Sequence, residues 1–148
     1  MRDGVNIEII EHTADLGLKI SAPTLSDLFV KAASGILEYA VGEKRENLLR
    51  QPDLSIEERV FVAEEDSWEE LFLRWLNEQL FNLYTYNILA VDYSLLVKES
   101  QKKRLSAKTR YIKIKPEYIA SEVKAATRHN LKIERTSLGF KAEVIFDL

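Results

Sequence analysis

The chain is 148 residues long, 46% apolar and 30% charged with both signs mixed, and has no cysteine, so one folded domain over residues 1–148 is expected, and disulfides, thiolate metal sites and wholesale disorder are excluded. A net charge of −3 argues against nucleic-acid binding by the whole surface, though not against a local patch. The opening MRDGVNIEII carries acids and no long apolar core, and no apolar run approaches about 18 residues, so no signal peptide or membrane span is expected and a reducing cytoplasm suits the chain.

Residues 6–12 alternate as a strand, and residues 16–21 as its hairpin partner; EHTADLGL, residues 11–18, is the polar loop between them and carries Asp15. Pro23 ends the hairpin. Thr24 is a helix N-cap followed by Asp27, and Leu25, Leu28, Phe29, Ala32, Ala33, Ile36, Leu37 and Ala40 form one apolar stripe, which predicts a helix over residues 25–41 stopped by Gly42. Residues 43–52 read as a turn-rich connection and 54–63 as a strand. Ser67 with Glu70 is a capping box for a second helix, residues 68–84, with its stripe at Leu71, Phe72, Trp75, Leu76, Leu80 and Leu83; Glu78 lies at the border of that stripe.

Strands follow at 88–97 and 105–114, the second with a slip of phase near Tyr111 that predicts a bulge. Residues 122–129 alternate as a further strand, and 131–135 with 140–148 form a hairpin around Gly139. In the last strand Phe140, Ala142, Val144, Phe146 and Leu148 share a face, which turns Asp147 away from the core. The order implies an α+β fold: a largely antiparallel or mixed β-sheet with two amphipathic helices packed on it.

Asp15 in a Thr-Ala-Asp turn has an ordinary structural use, accepting a backbone N–H. Asp147 beside the carboxylate of Leu148 is less ordinary, because adjacent anions repel and a bound cation relieves them. Carboxylate and carbonyl oxygens are hard donors, pointing to Ca²⁺ or Mg²⁺, and the flexible geometry of a chain end favours Ca²⁺. That reading needs Asp15 and the chain end to meet in space. His12 and His129 are the only histidines, and their spacing supports no histidine zinc site; His12 is placed to orient the Asp15 loop. Residues 102–115 hold seven basic side chains and residues 57–70 six Glu and one Asp against Arg59, so a dipolar molecule suited to a charged partner is expected, with RNA contact possible but indirect.

Taken together, EHTADLGL, TLSDLFVKAASG, WLNEQLF at 75–81, EVKAATRH at 122–129 and the final KAEVIFDL resemble the archease family, over nearly the whole chain and in order. The resemblance implies an accessory protein of the RtcB-type tRNA-splicing RNA ligase. Such a protein promotes guanylylation and multiple turnover of its partner without catalysing ligation. It implies a divalent cation, Ca²⁺ first with Mg²⁺ or Mn²⁺ as alternatives, on Asp15, Asp147 and Leu148, with Glu11, Glu78 and Lys124 at further motif positions. Two other readings stay open: a metal-dependent phosphatase or nuclease using the same acids, and a chaperone-like interaction module.

Overall fold

Thr24 and Ser67 open the two long helices as their patterns require: the Asp27 N–H donates to Thr24 Oγ1 at 3.1 Å, and the Glu70 N–H donates to Ser67 Oγ at 3.2 Å. The computed structural model of the chain describes residues 6–11 and 14–148, and of Glu11 the backbone alone. In chain order the elements are β1 (Asn6–Glu11), β2 (Asp15–Ala22), α1 (Leu25–Ala40), α2 (Arg45–Leu49), β3 (Ile56–Glu65), α3 (Trp68–Tyr86), β4 (Ile88–Glu99), β5 (Lys103–Lys113), a 3₁₀ turn (Pro116–Tyr118), β6 (Ala125–Thr136) and β7 (Gly139–Asp147).

The α+β class and the antiparallel pairing are as the sequence predicts, and the strands divide between two sheets. One sheet has the order β1-β2-β7-β6 and the other β3-β5-β4. The long helices lie between them, α1 against β2, β7 and β4, and α3 against β6 and all three strands of the second sheet. A helix covered from two sides must be apolar around much of its circumference, and both are. On α1, Leu28, Phe29, Ala32, Ala33, Ile36, Leu37 and Ala40 are buried. On α3 the buried set extends beyond the predicted stripe to Leu73, Gln79 and Asn82.

Trp75 joins the layers. Its indole N–H donates to the Phe29 carbonyl of α1 at 2.9 Å, and its ring meets Phe61 of β3 and Tyr93 of β4 at 6.2 and 6.1 Å. Phe29 and Phe72 meet edge to face at 5.0 Å between the helices. On the second-sheet side of α3 a polar group sits inside the core. The Tyr111 hydroxyl donates to Gln79 Oε1 at 2.9 Å and accepts from Asn82 Nδ2 at 3.1 Å.

Several details differ from expectation for identifiable reasons. RENLL forms the short helix α2, too brief for a periodic signal. The bulge expected near Tyr111 falls in its partner: pairing with β5 steps from Ala90 to Asp92, so Val91 is the extra residue. Residues 125–136 form one strand, with a register shift between Thr127 and Lys132 and Asn130 at φ 54°, so two predicted strands are one. Gly139 opens β7 at φ 143°, where an added Cβ would lie 2.3 Å from the Ala22 carbonyl.

Candidate functional site

Side chains alternate along β2 and β7. Leu16, Leu18, Ile20 and Ala22 are buried on one strand, and Ala142, Val144 and Phe146 on the other. Asp15 and Asp147 therefore point to the opposite, open face of the four-stranded sheet. The two are direct partners in the β2–β7 register. Directly opposed side chains in an antiparallel pair have Cβ atoms roughly 4.5–5.5 Å apart, and like charges so placed are destabilising. Asp15 is half-buried and Asp147 exposed.

The chain around this pair is tied down. The Leu148 N–H donates to the Ala14 carbonyl at 3.1 Å, and the Leu148 side chain packs against the core. The Lys124 N–H donates to the Asp147 carbonyl at 2.8 Å, and Ala125 is the register partner of Asp147 on the β6 side. The exposed Lys124 thus enters at the same strand end as Asp15, Asp147 and Leu148.

Two side chains of α3 hold the segment that brings Lys124 there. Asn77 grips the backbone of one residue twice, its Nδ2 donating to the Ala126 carbonyl at 3.3 Å and its Oδ1 accepting the Ala126 N–H at 2.8 Å. One heptad later the Tyr84 hydroxyl donates to the Ser121 carbonyl at 2.7 Å and accepts the Val123 N–H at 2.8 Å. Burial raises the Tyr84 hydroxyl above its ordinary range, against the Val123 N–H, which pulls it down. Sequence reasoning missed both residues. Their signal is a pair of hydrogen-bonding side chains seven apart, on one side of the helix.

Glu78 sits on α3, and its charge is one of the smaller influences that raise the Tyr111 hydroxyl of the second sheet, after burial. The side chain of Glu11, and His12 entirely, lie outside the described residues. Among the described residues no group of three or more His, Cys, Asp or Glu is close enough to hold a metal ion. The donors on hand are two carboxylates and main-chain oxygens, all hard. They fit an oxygen-seeking cation, but Ca²⁺ takes roughly 6–8 oxygens, so this set fills only part of a shell.

The expected dipole is not formed. β3 carries the acids of residues 57–65 and pairs with β5, which carries most of the basic run, so opposite charges meet across the ladder. Arg104 lies 2.9 Å from Glu64, and Arg110 lies 3.8 Å from Glu58; Lys102 and Lys103 pair with Asp66 and Glu99. The open face of the four-stranded sheet balances in the same way. Its groove of about 780 Å³ is lined by Lys19, Lys132 and Lys141 against Glu8, Glu134 and Glu143. There Lys141, and then Lys132, lowers the Glu134 carboxyl. No described helix is long and apolar enough to cross a membrane.

The model of the Archease protein family (MTH1598/TM1083) matches residues 7–148. The chain is similar to protein archease of Archaeoglobus fulgidus, 31% identical over 140 residues that cover 94% of this chain and 96% of the relative. It is similar also to protein archease of Methanopyrus kandleri, 34% identical over 149 residues that cover 95% and 98%. Its fold matches the solution structure of protein 1598 of Methanobacterium thermoautotrophicum with a TM-score of 0.75 at 25% identity, covering 96% and 98% of the two chains. It also matches the crystal structure of an archease from Thermotoga maritima, described as a possible chaperone, with a TM-score of 0.60 at 25% identity over 95% and 96%. Sequence, fold and coverage agree, and the chain belongs to the archease family.

Proposed function

We propose that this chain is a non-catalytic accessory protein of an RtcB-type tRNA-splicing RNA ligase. It promotes guanylylation and repeated turnover of that ligase through a divalent cation, Ca²⁺ in the first instance, held by Asp15, Asp147 and a main-chain oxygen of Leu148. The observation that carries the reading is the register of β2 and β7, which sets Asp15 opposite Asp147 with Leu148 bonded back to Ala14. Family membership supports the choice of partner.

In this reading Asp15 and Asp147 supply fixed negative charge on an open sheet face, and the Ala14 and Lys124 backbone contacts hold the strand ends at constant separation. A cation there would supply positive charge to phosphate oxygens in a partner's site. Because the protein donors fill only part of a shell, positions are left for water or for groups of the partner. Lys124, exposed at the same strand end, adds positive charge at the rim.

The test is single-turnover guanylylation of the cognate ligase, with wild-type protein and with Asp15→Asn. Stimulation by the wild type and its loss in the variant is the expected result; equal stimulation by both overturns the reading. Release of nucleotides from RNA by the purified protein without ligase would favour the hydrolase alternative instead.

A further inference from the structure

Three of the four open sheet edges carry features that discourage a further strand. β1 is six residues long, and β4 and β6 are interrupted by register shifts. The edge at β3 has no such guard. Its ten residues pair one to one with β5, and among the described residues nothing pairs with their other side. The strand contains neither lysine nor proline.

Backbone groups alternate along it. The Lys113 N–H donates to the Ser55 carbonyl, so bonding toward β5 falls on the odd-numbered residues, and the N–H and C=O groups of Ile56, Glu58, Val60, Val62 and Glu64 point to the open edge. The glutamates of the strand are already matched within the chain: Glu57 with Arg59 at 2.8 Å, Glu58 with Arg110 at 3.8 Å, Glu64 with Arg104 at 2.9 Å and Glu65 with Arg74 at 2.8 Å. What the edge leaves open is therefore backbone and apolar surface. On the outer face of the sheet Ile56, Val60 and Val62 are 57%, 68% and 46% exposed. On the helix side Phe81 and Tyr86 of α3, 52% and 42% exposed, stand beside Arg59, which stacks on Tyr86 at 4.6 Å.

The strand is self-complementary about Val60. A second copy turned by a two-fold axis through that residue sets Val60 against Val60, Glu58 against Val62 and Ile56 against Glu64, so every free backbone pair meets its own equivalent. The intervening residues follow, Arg59 opposite Phe61 and Glu57 opposite Ala63. Among near-complete overlaps this one alone joins no like charges. Sliding one copy by two residues opposes Glu58 to Glu64 and Glu57 to Glu65 in one direction, and Arg59 to Arg59 in the other. We propose that β3 is a dimer edge, joining two copies of this chain antiparallel so that their three-stranded sheets become one of six strands. Val60 and Val62 of the two copies form one cluster on the outer face. On the helix side Phe61 of each copy lies against Arg59 of the other, beside its Tyr86. A dimer of ordinary size hides about 800 Å² per copy. Phe81 and Tyr86 bring roughly 100 Å² each toward that, beyond the strand edge and its three exposed aliphatic side chains.

Residue 60 is the one position in the strand that faces itself, which makes a selective test. The full-length protein is expected to sediment as a dimer at about 100 µM and to dissociate on dilution, with the amides of Glu58, Val60, Val62 and Glu64 protected in the dimer and exchanging in the monomer. Val60→Lys and Val60→Glu each place like charges on the axis at an exposed position, and each is expected to weaken self-association about tenfold or more at unchanged melting temperature. Mixing the two variants opposes lysine to glutamate and is expected to restore the dimer. A wild type that is monomeric at about 100 µM, variants that dimerise as the wild type does, a mixture no stronger than either variant alone, or protection mapped to another edge overturns the proposal. An edge that serves a different protein instead of a second copy gives the first of these results.

Discussion

Asp15 and Asp147 stand opposite each other in the β2–β7 ladder, one half-buried and one exposed, on the face turned away from the core. Without a counter-charge they repel. Asp147→Asn is therefore expected to leave the protein in EDTA as stable as the wild type or more so, by about 0.2–1 kcal/mol. In CaCl₂ the order reverses: a cation at a hundredfold excess over its dissociation constant stabilises the wild type by about 2.7 kcal/mol, and the variant gains little. Thermal unfolding of both proteins in EDTA and in CaCl₂ reads the difference. A wild-type transition that ignores Ca²⁺, Mg²⁺ and Mn²⁺ alike rules the site out.

Asn77→Ala strips the Ala126 N–H and carbonyl of their bonds to α3. The expected cost is about 1–3 kcal/mol, read from urea unfolding. Amide exchange at Ala126 should quicken ahead of global unfolding, with Lys124 and its bond to Asp147 following. A change confined to α3 would show that the strand end holds itself.

Tyr111→Phe removes a hydroxyl that serves both Gln79 and Asn82 in the core. The ring volume is kept, so the loss isolates the polar contribution, about 1–3 kcal/mol, because two buried amides lose a partner. Denaturant midpoints of the two proteins decide it; a neutral substitution would mean that the amides find each other.

Alkaline pH should unfold the protein through its buried tyrosines. Burial, as the largest influence, raises both Tyr84 and Tyr111 above the ordinary 10.0. The folded state therefore keeps these protons to higher pH than the unfolded chain does. Their contribution is whole below pH 10 and is lost as pH rises through the raised folded values. Urea midpoints measured from neutral pH upward should stay level to about pH 10 and then fall, less steeply in Tyr111→Phe.

Much of this architecture is legible in the chain because it is local. Thr24 and Ser67 mark their helices through a single hydrogen bond each, and the alternation from Phe140 to Phe146 turns Asp147 outward without reference to anything distant. The division of strands between sheets is not local. Nothing in residues 56–65 says that β5 rather than β7 will be their neighbour, and the acidic and basic runs that look like two poles cancel only once that pairing is known. The bulge shows the same limit. The irregularity is visible at Tyr111, but the extra residue is Val91 across the ladder, where the apolar run of β4 hides it. Asn77 and Tyr84 escaped because their partners are backbone groups nearly forty residues or more away.

At about 100° per residue, Asn77 and Tyr84 lie on one side of α3, and Gln79 and Asn82 on nearly the other. The helix is keyed like a spindle gripped from both flanks: neither rotation about its axis nor a slide by one turn can satisfy both sets of bonds at once. The strand end bearing the aspartates and the three-stranded sheet share no ladder, and this keyed helix fixes their bearing on each other. A partner that engages both regions would meet them at a constant span, a ruler set by the core rather than by any surface loop.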